Sequence, residues 1–424
     1  MAEEMGFGGH QRVTIAIVFA AAALILAAFT VSMGGPGRDQ GESGGRSEGS
    51  SAAAGEKVPP LVDWPLFGRV PERTHYLPVE GRDVDPPLHE AWSINTHALI
   101  EFPPALANGV AYVVNKYGNV KAARLSDHKI LWERVRDPRQ KGSPTDTTAP
   151  VYSEGMLFLA FEDGDLVAID ATSGKNVWKR DLHAHLESSP LAVDGRLYLG
   201  DDKTDLLSLS AADGKVRWRF NSPGAIKASP SYHEGRVCVA DYQASMYCVD
   251  ADSGRVLWRT NTSKVPPFGD GGFYSSPAIA FGHVYAARDD GTVYAFDEKT
   301  GRVAWFFRTH NFIYGSPAVA HVPGTPPSVY IGGYDEHLYA LDARSGRQRW
   351  RFDVGGAVPG TAVVIGHTVY TSSFKTNEAI GIDVRTHRKI FSVHQAGYTP
   401  VISDGRRLFV IGYYELVGLE STKR

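Results

Sequence analysis

Two cysteines, a short histidine motif and a set of loop aromatics are the residues of this 424-residue chain whose types could do chemistry. Cys238 and Cys248 stand at equivalent points of two consecutive apolar runs. Elsewhere those points carry a large residue (Tyr112, Phe158, Tyr198, Tyr285, Tyr330, Tyr370) and a small one (Ala122, Ala168, Ser208, Ala295, Ala340 or, one place displaced, Gly381). If the strands flanking residues 241–244 pair symmetrically, the two thiols face each other at the ~4.5–5.5 Å Cα separation of opposed strand residues, inside the disulfide range. Two buried free thiols are the other outcome. An oxidising compartment permits the bridge. His183-Ala184-His185 and His310 have metal-ligand chemistry, but no further ligand lies near them in sequence, which favours solvated loop histidines. Asn261-Thr262-Ser263 matches a glycosylation acceptor, a triplet too short to carry weight. There is no phosphate-cradling loop, nucleophile elbow or zinc spacing.

The elements that must position these residues repeat. Trp92, Trp132, Trp178, Trp218, Trp258, Trp305 and Trp350 are separated by 40, 46, 40, 40, 47 and 45 residues, and a further 41 reach Phe391. Before each lies a cassette such as Ala168 to Trp178, reading AIDATSGKNVW, or Cys248 to Trp258, reading CVDADSGRVLW. The apolar run reads as a buried strand. The Asp accepts turn amides and the Gly supplies positive φ, so D-x-x-[ST]-G-[KR] is a tight hairpin. The aromatic ring on the next strand is placed to wedge between neighbouring sheets. His128 and His387 replace that Gly in the first and seventh copies, whose turns are degenerate. Each repeat opens with a second strand-turn-strand unit, as in Ser189-Pro190 through Asp194-Gly195 to Leu199. Four antiparallel strands per forty residues is a propeller blade.

Eight opening halves exist, but the last ends before any closing Trp strand, while the strand around Trp92 is an orphan at the other end. Joined, they complete an eighth blade and remove an open edge. The fold class is therefore all-β: an eight-bladed propeller over residues 61–424, closed by its N-terminal strand. Trp92, Trp132, Trp178, Trp218, Trp258, Trp305, Trp350 and Phe391 are its blade-docking residues.

Ahead of the ring, residues 1–12 form a short tail and 13–33 carry no charge over 21 positions, enough to cross a bilayer as a helix. The long apolar run and the poor cleavage site after it favour an uncleaved signal anchor over a cleaved signal peptide. Residues 34–60, rich in Gly, Ser and charge, read as a flexible linker. The expected location is the cytoplasmic membrane, single-pass, with the propeller on the extracytoplasmic side. A net charge of −3 gives no electrostatic reason to expect nucleic acid.

The loops joining one blade to the next share a face with those between each blade's second and third strands. Insertions at 135–148, 263–274 and 322–328 fall on this face, where function usually sits. It gathers Lys116, Tyr117, Lys203, Tyr242, Gln243 and Phe268, and also Phe273, Tyr314, Tyr334, Asp335, Lys375 and Tyr413, the candidate partner-binding residues.

The cassette resembles the PQQ-like β-propeller repeat, shared by quinoprotein dehydrogenases and BamB-type outer-membrane assembly factors. The lead-in Asp63-Trp64-Pro65-Leu66-Phe67-Gly68, followed by Arg73-Thr74-His75-Tyr76, resembles the segment that often precedes such rings. The quinone enzymes are similar in repeat but hold PQQ against two adjacent cysteines, beside calcium and a catalytic Asp. This chain has no adjacent Cys pair, and its insertions are short. The reading is therefore a non-catalytic envelope scaffold with protein or peptide partners and no expected cofactor, catalytic residue or metal ligand. PQQ with calcium in an oxidoreductase, or sensing of a small envelope ligand such as a glycan, are the alternatives.

Overall fold

The computed structural model describes residues 61–79, 84–137, 146–269, 271–394, 396–397 and 400–422. The expected anchor (13–33) and linker (34–60) lie outside them. Eight antiparallel sheets form the blades. Blade 1 comprises Ala105–Ala107, Val110–Val114, Val120–Arg124 and Ile130–Arg134. Blades 2 to 7 repeat the pattern, with innermost strands Val151–Ser153, Leu191–Val193, Ser231–His233, Ala278–Ala280, Ala318–Ala320 and Val363–Ile365. In blade 8, Ile402–Ser403, Leu408–Gly412 and Glu415–Ser421 are completed by Leu88–Asn95, which pairs antiparallel with the last strand; Trp92 lies opposite Gly418. The two ends of the chain close the ring.

The second and third strands of each blade are almost wholly buried, which is why they read as unbroken apolar runs. The outer strands alternate, burying or half-burying their Trp and exposing most of the flanking residues. The Trp rings do two jobs. The Trp178 indole N–H donates to Ala211 O (2.8 Å) and that of Trp258 to Glu298 O (2.8 Å), each in the next blade's outer hairpin. The ring face lies against that hairpin's glycine: a Cβ on Gly254 would stand 2.7 Å from Trp218. The glycine thus answers to close approach as well as to its φ of +70°.

The hairpins of blades 1 and 7 form despite their degenerate turns. His128 and His387 adopt the left-handed conformation at φ +60° and +59°. Their imidazoles stack on Trp92 (centroids 4.7 Å) and Trp350 (5.1 Å), replacing a glycine under the ring by a ring on the ring.

The lead-in is the largest feature beyond the repeat. Residues 61–79 run once around the inside of the ring, toward the ends of the innermost strands that carry the hairpin turns. Val62 N–H donates to Asp404 O of blade 8 (2.8 Å), and Trp64 exchanges both main-chain bonds with Leu106 of blade 1. The carbonyls of Pro65, Pro71, Glu72, Thr74 and His75 then accept from Tyr152, Tyr232, Ile279, Val319 and Val364, in blades 2, 4, 5, 6 and 7. Tyr76–Leu77 adds a fifth, parallel strand to blade 7 where four were expected. Blade 3 is reached by a side chain: fully buried Arg73 donates to Ser189 O and Pro190 O (3.3 and 3.2 Å), and also to Pro230 O (2.6 Å) and Phe67 O. Burial lowers its guanidinium to about 9, so it stays charged at neutral pH. Inner strand edges that would otherwise leave amides unpaired are satisfied by the chain's own N-terminal segment.

Candidate functional site: the loop-face mouth

At the other end of the axis, the inner strands are entered through a recurring Ser-Pro. Each hydroxyl bridges blades. Ser189 Oγ accepts from Ala149 N (3.1 Å), Ser229 Oγ from Ser189 N (3.0 Å) and Ser276 Oγ from Ser229 N (3.0 Å). Ser316 Oγ accepts from Ser276 N (3.0 Å) and Thr361 Oγ1 from Ser316 N (2.9 Å). The proline that follows the serine brings no amide needing a partner.

Three residues before each of these prolines, or before the Ala362 that stands in its place in blade 7, the chain crosses the mouth. Blade by blade the position holds Glu101, Thr147, Glu187, Lys227, Tyr274, Tyr314, Pro359 and Gly397. Equivalent residues of adjacent blades touch: Lys227 Nζ lies 2.7 Å from Glu187 Oε1, and the Tyr274 and Tyr314 rings meet edge-on at 5.9 Å. The position is charged in blades 1, 3 and 4 and aromatic in blades 5 and 6. On the charged side, burial and the nearby Asp146 push Glu101 up to about 7. His185 lies 3.5 Å from Glu162 and 3.6 Å from Glu187, and Glu162 raises it above the ordinary histidine value. On the aromatic side, Tyr334 packs edge-on to Tyr314 (5.3 Å), and Phe312, about half exposed, adds a third ring (6.4 Å). Tyr242 joins the halves: Lys227 Nζ sits 5.2 Å over its ring, and its hydroxyl donates to Asp289, which burial and Asp290 push up to about 6.

Of the twelve candidate residues, the structure brings Tyr242, Tyr314 and Tyr334 together. Lys203, Gln243 and Lys375 are exposed loop positions, and Tyr117 and Phe268 are exposed rings away from that cluster. Lys116 lies 5.8 Å over Tyr117 and near enough to Glu101 to hold its value down, and Tyr413 donates to Asn377 Oδ1 (3.2 Å). Two assignments are corrected. Phe273 is fully buried against Tyr294, because its loop alternates and turns that residue into the core while Tyr274 faces out. Asp335 is tied down by its neighbours: Oδ2 accepts from His310 N of the loop between blades 5 and 6 (2.8 Å) and from the Tyr339 hydroxyl (2.6 Å). Glu101, Glu187, Lys227 and Tyr274 were missed, although their fixed offset before the repeat proline was readable.

Cys238 and Cys248 are register partners on adjacent strands of blade 4, joined by a disulfide with Cα atoms 4.1 Å apart and fully buried. That position bears on the quinone alternative. The bridge lies inside a sheet and cannot floor an axial site, and its residues are ten apart in sequence. Among the described residues no group of three His, Cys, Asp or Glu converges to hold a metal ion. His183 pairs locally, with Asp181 (3.1 Å). The residues present do not fit a quinone seat of adjacent cysteines beside calcium.

Comparison with known proteins places this geometry. The dehydrogenase subunit of the quinone-type alcohol dehydrogenase of Gluconobacter oxydans is 29% identical over 127 residues, 27% of this chain but only 16% of that protein. BamB of Shigella dysenteriae is 35% identical over 89 residues, covering 19% of this chain and 22% of its own length. Among solved structures, the quinohemoprotein alcohol dehydrogenase of Comamonas testosteroni superposes with a TM-score of 0.70 at 15% identity, covering 85% of this chain and 81% of its own. BamB of Moraxella catarrhalis gives 0.64 at 15% identity, covering 80% and 98%. At such identities the superpositions show the fold alone. A family model described as "Outer membrane protein assembly factor BamB" matches residues 118–225 and 203–417. The chain belongs to this BamB-type family of PQQ-like β-propellers.

Proposed function

We propose that this propeller is a non-catalytic binding module of the cell envelope, anchored in the cytoplasmic membrane by residues 13–33 with the ring on the extracytoplasmic side, and that its loop-face mouth receives a protein or peptide partner. The observation that carries this reading is the mouth itself. One half presents Glu187 and Lys227, the other a cluster of tyrosines with Phe312, over a rigid belt of serine bridges. Aromatic anchors beside charged groups on a pre-formed scaffold suit protein recognition. The relatives named as assembly factors favour it. The relatives named as quinone dehydrogenases favour an oxidoreductase, against which stands the position of the disulfide.

A photo-crosslinking residue at Tyr314 of the full chain, expressed in its own envelope, tests this. A discrete protein adduct is expected, lost on Lys227→Glu and absent when the probe replaces Asp194 on the hairpin face. Turnover of an alcohol by the purified chain with PQQ, calcium and a dye acceptor would overturn it. So would an adduct indifferent to Lys227.

A further inference from the structure

The loop-face mouth carries a second repeating position beside the crossing residues. It falls four residues beyond the large residue of each blade's second strand: Asp202 follows Tyr198 in blade 3, and Asp289 follows Tyr285 in blade 5. Its amide is tied to the chain entering the same blade. Tyr242 N donates to Ala225 O (2.8 Å), Asp289 N to Gly272 O (2.9 Å), Tyr334 N to Phe312 O (2.9 Å) and Phe374 N to Ala357 O (3.1 Å). Each acceptor stands two residues before the crossing position, so the two positions ring the mouth side by side.

In blades 4 to 8 the second position holds Tyr242, Asp289, Tyr334, Phe374 and Tyr413, four aromatic rings interrupted by one acid. That acid lies among phenols: the Tyr242 hydroxyl donates to it, and its charge is felt by the Tyr314 hydroxyl. Among the described residues no cation is ion-paired to Asp289. Arg288, near enough to lower its value, is committed to Asp290, to Thr262 Oγ1 (3.1 Å) and to Gly269 O (2.9 Å). Burial, and then Asp290, push Asp289 up, as befits a carboxylate without a counter-charge.

The rings favour the same occupant as the acid. Tyr314 is met by Tyr274 at 90° and by Tyr334 at 79°, so the planes stand crosswise rather than stacked. Aromatic faces attract cations. The wider mouth agrees in sign, since its two ring positions together carry five carboxylates against two lysines, Lys116 and Lys227. Asp289 already accepts from the Tyr242 hydroxyl and the Gly272 amide, which leaves less of it for the two-pronged bond of a guanidinium. The point charge of an ammonium suits what remains. We propose that this side of the mouth seats a lysine side chain of the partner protein, its ammonium on the Asp289 carboxylate and its methylenes against Tyr242 and Tyr314. The inference rests on the reading of the mouth as a protein-binding face and names the chemistry the partner brings to it.

The test is fluorescence anisotropy on the purified full chain with a labelled peptide repeating lysine, glycine and leucine, beside the same peptide acetylated on every lysine. Asp289→Asn, which keeps the size and the acceptor for Tyr242, is expected to weaken binding of the lysine peptide about tenfold, the effect of losing one charge-assisted contact. Tyr314→Leu should weaken it several-fold by removing a ring face, and carries the test if Asp289→Asn does not fold. Asp194→Asn on the hairpin face removes the same net charge and should bind normally. The acetylated peptide should bind the parent chain at least tenfold more weakly. Equal affinity of the parent and either folded variant, equal binding of the two peptides, or the same weakening from Asp194→Asn would each overturn the proposal. A photo-crosslinking residue at Gln243, in the envelope, separates this inference from the reading beneath it. Loss of the protein adduct on Asp289→Asn supports both. An adduct indifferent to Asp289→Asn overturns the lysine seat alone, and no adduct from the parent chain overturns both.

Discussion

The two mouths of the ring are built from the same eightfold repeat and end in opposite states. At the hairpin face, the lead-in occupies the inner strand edges with its own main chain, and buried Arg73 ties together carbonyls from two blades and the lead-in itself. At the loop face, serine bridges satisfy the equivalent amides within the repeat, leaving the residues above them to face solvent. One mouth is closed by backbone bonding, which is indifferent to side-chain identity; the other is closed at its base only and varies in side chain from blade to blade. A repeat scaffold can thus be sealed at one end and made specific at the other without changing the strands between.

Substitutions at the two mouths should differ most in stability. Arg73→Ala leaves four carbonyls without their donor and a hole at the axis. A loss on the order of 5 kcal/mol in denaturant unfolding is expected. A loss under about 1 kcal/mol would mean that the lead-in is a passive filler.

The pH responses should have opposite slopes. His75, fully buried beside Arg73, is held down to about 3. It folds neutral, so its contribution is present above the unfolded value of about 6.5 and is lost as pH falls from there toward 3. Glu101 is raised to about 7, so its contribution is present below about 4.5 and lost as pH rises through 7. Thermal melts of His75→Phe should lose the acid-side decline, and those of Glu101→Gln the decline between pH 5 and 8, each by a few degrees. Identical pH profiles for both variants would erase the contrast. The smallest stability effect is expected for Tyr274→Ala/Tyr314→Ala, within about 0.5 kcal/mol per site, with loss of the crosslinked adduct.

The ring was legible because each of its signals is local and recurs: the Trp period, the Asp and Gly of the outer hairpin, and two unmatched strand halves that complete each other as Leu88–Asn95 with Glu415–Ser421. The opposition of the cysteines was readable by position alone, since a register error of one residue would turn them to opposite faces. The lead-in was not readable as a plug, because its bonds run through backbone carbonyls, which leave no pattern in side-chain type. The mouth was legible only in part. Loop residues such as Phe273 and Tyr274 differ in fate by a single step of alternation, and only the contacts show which one turns inward.

Residue-resolved hydrogen exchange of the full chain tests the closed mouth most directly. The amides of Tyr152, Tyr232, Ile279, Val319 and Val364, all bonded to the lead-in, should exchange together and only through global unfolding, hours slower than exposed loop amides. If those five exchange as fast as the loops while the middle strands of the blades stay protected, the lead-in does not close the ring.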